Sequence, residues 1–177
     1  MTEAPPLTPS QTVGPFLAIA LLNDLVSPTL VDPADPGAVR IRGRLLDGAG
    51  DPVPDGMVEI WHADAAGEYG ASRGFGRSGT IDDGWFEFVT VKPGPVAAPG
   101  GGLQAPHIVV GVFARGLLKR VVTRLYFPDE DAANATDPIL SQLDPDARKT
   151  LVAQADGDGL RFDIRLQGEG HTTFFAV

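Results

Sequence analysis

An all-β sandwich of about seven or eight mainly antiparallel strands, with an extended N-terminal arm and one or two short helices, is the fold this sequence predicts. Three observations point there. Glycine and proline are abundant, 22 and 16 among 177 residues, and they punctuate short apolar runs. The best of those runs alternate apolar and polar side chains, the period of a half-buried strand. No heptad and no internal repeat competes with that pattern.

Each element follows from local chemistry. Residues 1–37 are rich in proline and read as an extended arm, with a helical turn near 18–25. Residues 39–46 form a strand with Val39, Ile41 and Leu45 on one face and Arg40, Arg42 and Arg44 on the other. Gly48, Ala49 and Gly50 turn the chain into a second strand at 57–62. Residues 80–91 read as a hairpin around Asp83-Gly84. Residues 96–106 read as a loop, and 107–114 and 120–127 as two strong strands. Asp137-Pro138 and Asp144-Pro145 each place a capping carboxylate before a proline, so short helices are expected near 138–143 and 145–153. Strands at 160–167 and 172–177 close the domain.

Composition narrows the function classes. A formal charge of −9 disfavours DNA and anionic membranes as general partners. The absence of cysteine removes thiolate ligands, cysteine nucleophiles and disulfides, and suits a cytoplasmic location. The N-terminus has no basic and no apolar signal region, so no signal peptide is expected. Walker, Gly-x-Ser-x-Gly and His-Glu-x-x-His motifs are missing. The run Asp156-Gly157-Asp158-Gly159 lacks the further ligands of a calcium loop and reads as a turn. Taken alone, Tyr69 reads as a packed phenol, His107 as a core or interface histidine and Arg115 as a solvated turn residue.

Several segments in order nevertheless resemble one family. They are Pro9-Ser10-Gln11-Thr12-Val13-Gly14-Pro15-Phe16, Val58-Glu59-Ile60-Trp61-His62-Ala63-Asp64-Ala65-Ala66-Gly67-Glu68-Tyr69 and Thr90-Val91-Lys92-Pro93-Gly94. Ala105-Pro106-His107-Ile108, Leu125-Tyr126-Phe127 and Arg161-Phe162-Asp163-Ile164-Arg165-Leu166-Gln167-Gly168 follow. Together they resemble the intradiol ring-cleaving dioxygenases over nearly the whole chain. In that family a non-haem Fe(III) is held by two tyrosines and a His-x-His pair. The resemblance retains Tyr69 and His107 at the first tyrosine and first histidine. It puts Val96 and Val109 at the other two ligand positions, and Gln104 where catalytic members have a substrate-side arginine. Valine has no donor atom, so the resemblance implies a chain without catalytic residues or metal of its own.

The implied activity is cleavage of protocatechuate by O₂ between its two hydroxyls, giving 3-carboxy-cis,cis-muconate. The implied partner is a homologous iron-bearing beta chain in a hetero-oligomer. The resemblance also implies that Thr12, Gly14, Pro15 and Arg115 contribute to the partner's substrate pocket, with residues 1–37 as an arm packed on that chain and 1–177 as one domain. Two other expectations compete: a metal-free, transthyretin-like binding module, and a single-chain iron enzyme with substituted ligands.

Overall fold

The computed structural model describes residues 12–23, 26–70, 74–80 and 83–176. Among them two sheets pack face to face around one apolar core. The first is built on β1 (Ala38–Leu46). Along one edge β1 pairs antiparallel with β4 (Trp85–Val91), and along the other it runs parallel first to β10 (Gly159–Arg161) and then to β11 (Ile164–Arg165). β9 (Gln154–Asp156) extends this sheet as a hairpin with β10. The second sheet is wholly antiparallel, in the order β3 (Phe75–Gly79), β2 (Met57–Trp61), β7 (His107–Phe113), β8 (Val121–Tyr126). A small ribbon, β5 (Val96–Ala97) with β6 (Leu103–Gln104), lies between β4 and β7 in the chain.

Alternation sets the core. Ile41 and Leu45 of β1, and Phe86 and Phe88 of β4, face Val58 and Ile60 of β2, Ile108, Val110 and Val112 of β7, and Leu125 of β8. A smaller cluster of Ala105, Tyr126, Leu140 and Leu151 is packed by Ala133, Leu143, Val152 and Phe175. The basic face of β1 is partnered: Arg40 with Glu87, Arg42 with Asp156, and Arg44 with Asp83. Arg42, Arg44 and Arg161 also crowd the Trp85 ring. These exposed pairs contribute little stability each.

Several sequence expectations need correction. Residues 80–91 are not a hairpin. β3 belongs to the second sheet and β4 to the first, so the Asp83-Gly84 turn carries the chain from one sheet to the other. Both residues have positive φ, 53° and 77°, and the Gly84 carbonyl accepts from Leu45 N–H at 2.9 Å. Residues 81–82 lie outside the described ones. The 96–106 loop contains the β5–β6 ribbon, which raises the strand count. Residues 160–167 break into β10 and β11 at Phe162 and Asp163, and 172–177 supply one bridge, Phe175 to Val122.

The helices are shorter than expected and include one more. A π-helical turn spans Leu17–Leu21, closed by Leu22 N–H to Leu17 O at 3.1 Å. Residues 24–25 and the arm's first eleven residues lie outside the described ones. α1 (Asp131–Thr136) had no clear periodic signal. Asp144 caps α2 (Pro145–Lys149) through Asp146 and Ala147 N–H, as expected. Asp137 caps a 3₁₀ turn, Leu140–Gln142, by accepting from Ile139 and Leu140 N–H. Asp156 to Gly159 is a hairpin turn. Among the described residues no helix is long and apolar enough to cross a membrane.

Gly43 marks the point where the partner strand of β1 changes. Phe162 N–H donates to Arg42 O at 2.9 Å, and a Cβ on Gly43 would stand 1.8 Å from Phe162 O and 2.7 Å from the Phe86 ring. The clash is with backbone, so no rotamer relieves it. Gly43→Ala is therefore expected to cost about 3 kcal/mol or prevent folding, read as a lowered urea midpoint.

Candidate functional site

The outer face of the second sheet carries the site. Inner positions of β7 are Ile108, Val110 and Val112, so His107, Val109 and Gly111 face outward. Register places Val109 between Trp61 of β2 and Arg124 of β8. Phe75 of β3 flanks Trp61 on its other side. One row therefore crosses all four strands: Phe75, Trp61, Val109, Arg124.

Two loops fold over that row. Asp64 caps the first: its Oδ1 accepts from Ala66 and Glu68 N–H, while Gly67 adopts positive φ against Pro95 O. Tyr69 follows and stacks on Trp61 with centroids 6.0 Å apart and planes 13° from parallel. Tyr69 remains 46% exposed. The second is the β5–β6 ribbon, which pairs Val96 with Gln104. Gln104 Oε1 accepts from Arg124 Nη1 at 2.7 Å. Tyr69, Val96, His107 and Val109 are thus brought to one region, with Gln104 beside them.

His107 is fully buried. Its Nδ1–H donates to Ala105 O at 2.8 Å, and its ring lies 5.7 Å from that of Tyr126. Burial, reinforced by the Arg124 charge, holds its pKa below the ordinary value, despite opposing contributions from Ala105 O and Asp137. Burial pushes the Tyr126 phenol up to about 12, so the hydroxyl stays protonated. Tyr126 accepts from Arg124 Nη1 and donates to Asp137 Oδ1, each at 3.3 Å. Asp137 is itself buried, and its Oδ2 accepts from Ala105 N–H at 2.8 Å. Sequence reasoning missed this network. Its one local signal is a charged residue, Arg124, inside an otherwise uncharged strand and two residues before a tyrosine.

This donor set does not fit a metal ion. Val96 and Val109 offer no lone pair, so the Nε2 of His107, whose Nδ1–H is held by Ala105 O, and the Tyr69 phenol are left without the other two donors, and the Arg124 cation borders the site. Among the described residues no group of three or more His, Cys, Asp or Glu could hold one. His62, beside a cavity of about 660 Å³, is also a satisfied core residue. Its Nδ1 and Nε2 engage Ala63 O and Thr90 Oγ1 at 2.6 and 2.7 Å, and burial lowers its pKa.

The remaining expected residues lie toward the other end of the same face. A cavity of about 480 Å³ is lined by Thr12, Phe16 and Leu17 of the arm, Met57 of β2, and Ala114 and Leu118 of the β7–β8 turn. Met57 is four residues from Trp61, about 13 Å along the strand. Gly14 has φ +74° with nothing within 4 Å of a Cβ position, leaving its backbone open to close approach. Pro15 O accepts from Ile19 N–H at 3.2 Å. Arg115 sits in the turn with its side chain 53% exposed, and Nε is 3.7 Å from Asp55 Oδ1, too long for a hydrogen bond. Phe16, Ile19 and Leu118 are largely exposed on this part of the molecule.

A family model described as dioxygenase (Dioxygenase_C) matches residues 19–168. The alpha chain of protocatechuate 3,4-dioxygenase from Burkholderia cepacia is 44% identical over 195 residues, covering 96% of this chain and 97% of that one. The beta chain of that name from the same organism is 34% identical, covering 75% and 65%. Among solved structures, the dioxygenase domain of a carbohydrate-binding fusion from Streptomyces sp. SirexAA-E has a TM-score of 0.61 at 28% identity, covering 91% of this chain and 98% of that one.

The buried imidazoles make stability pH-dependent. Burial holds their native pKa values below the ordinary 6.5 of imidazole, so the unfolded chain binds the protons first as pH falls. Their contribution is complete above pH 6.5 and is lost from there down to the lowered native values. Imidazole NMR titration is expected to find both rings titrating below 6.5, with the unfolding free energy falling as pH drops through that window.

Proposed function

This chain belongs to the intradiol ring-cleaving dioxygenase family, and from that membership we propose that it is the metal-free alpha subunit of a protocatechuate 3,4-dioxygenase. Identity to an alpha chain at 44%, over almost the full length of both chains, carries the reading. A transthyretin-like binding module shares the sandwich but not that likeness. A single-chain iron enzyme is opposed by valine at 96 and 109.

The reading assigns Fe(III) to a homologous beta chain, together with protocatechuate and O₂, in a cytoplasmic hetero-oligomer. There the metal supplies chelation and activation of the catechol toward O₂, with 3-carboxy-cis,cis-muconate as product. This chain's residues bind and orient. Residues 1–37 pack on the partner, and the exposed apolar side chains of Phe16, Ile19 and Leu118 suit burial in that contact. Thr12, Gly14 and Pro15 border the partner's pocket, where the open backbone of Gly14 admits close approach. Arg115 meets the ring carboxylate. Its loose pairing with Asp55 leaves N–H donors available for a bidentate contact. Fixing the carboxylate aims the two hydroxyls at the partner's metal, a positional contribution rather than a chemical step.

Purified alone, the chain is expected to carry no stoichiometric iron. Co-expressed with its beta chain, it should yield oxygen uptake on protocatechuate. Ferric iron with a tyrosinate colour in the isolated chain would end the reading. In the complex, Arg115→Ala is expected to raise KM for protocatechuate by roughly 10- to 100-fold, about 1.5–3 kcal/mol of lost charge-assisted binding, and to leave unsubstituted catechol nearly unaffected. Equal losses on both substrates remove Arg115 from carboxylate recognition.

A further inference from the structure

We propose that the guanidinium of Arg124 is the resident cation of the site on the outer face of β7, and that its fixed charge bars metal ions from it. The proposal rests on the reading that Tyr69, Val96, His107 and Val109 stand at ligand positions. It goes beyond that reading, because missing donors alone do not require a positive charge in their midst.

Position is the first argument. Arg124 is the cross-strand neighbour of Val109 on the outer face, where facing Cβ atoms stand about 4.5–5.5 Å apart. Its Nη1 reaches Gln104, the cross-strand partner of Val96. One side chain therefore links the neighbours of both valines. The ring of His107, two residues from Val109, lies within the field of the same charge.

Charge is the second argument. Arginine carries a delocalised positive charge that is not given up on burial. Among the described residues no carboxylate approaches its guanidinium within ion-pair distance. Asp137, the buried acid of the network, is taken up by Ala105, Ile139 and Leu140 N–H and the Tyr126 hydroxyl. Tyr126 offers Arg124 a neutral oxygen. A metal ion approaching this site meets a full positive charge, not one already neutralised.

Position and charge together give Arg124 a second task. Its bond to Gln104 fastens the β5–β6 ribbon to β8. That polar contact stands where a ligand sphere would need its own donors.

The test restores the donors with and without the charge. In the full-length chain, Val96→Tyr combined with Val109→His is expected to take up no more iron than the parent. Adding Arg124→Gln, which keeps an N–H donor for Gln104, should allow about one iron per chain, with a visible tyrosinate-to-iron band. Arg124→Lys in that combination should again exclude it. Stoichiometric iron in the double variant overturns the proposal and leaves the ligand-position reading standing. No iron in the triple variant, with a native circular dichroism spectrum, overturns the ligand-position reading and the proposal with it. Should the tyrosine variant fail to fold, Val109→His alone provides a His-x-His face for zinc. Zinc is then expected to bind at least about tenfold tighter when Arg124→Gln is added, and equal affinities overturn the proposal.

Discussion

Strand β7 cannot slide, and most of the molecule's architecture depends on that. Ile108, Val110 and Val112 are almost completely buried between the sheets, against Val58, Ile60 and Leu125. A slip by one residue would turn all three toward the outer face. The register with β2 and β8 is therefore held by packing energy, independently of anything on the outer side. His107 and Val109 inherit fixed positions from residues that never touch the site. So do their neighbours Trp61, Arg124 and Tyr126.

The two sheets use polar groups differently. On β1, arginines alternate outward and meet carboxylates in water, where each pair is weak and replaceable. On the outer face of the second sheet the polar groups are drawn under loops and helices. Glu59 is buried beside Arg77 at 2.6 Å, and Asp137 is enclosed by backbone donors. A buried group of this kind must be satisfied completely, because an orphaned partner costs about 1–3 kcal/mol. The face behaves as an interlocked unit: a change at Arg124 is felt at Gln104 and Tyr126 together.

What the sequence discloses follows from distance along the chain. Alternation in 39–46 and the apolar density of 107–114 specify strands because neighbours alone decide them. Asp144 before Pro145 specifies a cap for the same reason. β3 escaped notice because Gly76 and Gly79 remove the side chains that display alternation. The Asp83-Gly84 turn has the chemistry of a hairpin, but its flanking strands pair with β1 and β2 instead of each other. Turn chemistry does not say which sheet receives each arm. At the site, Tyr69 and His107 stand out by motif. Arg124 does not: it matters through Gln104, 20 residues away, and through register with Val109, information that pairing supplies.

The facing of Val109 by Arg124 also has a historical meaning. A lineage that regained histidine at 109 alone would set an imidazole against a guanidinium. Tyrosine at 96 alone would leave the donor set one ligand short, with Val109 still in place. Losing Arg124 alone would unhook the ribbon. Each single change is unfavourable on its own, so building a ligand sphere here takes several substitutions together. Val109, Arg124 and Gln104 are thus coupled by epistasis: a substitution at one is tolerated or rejected according to what stands at the other two.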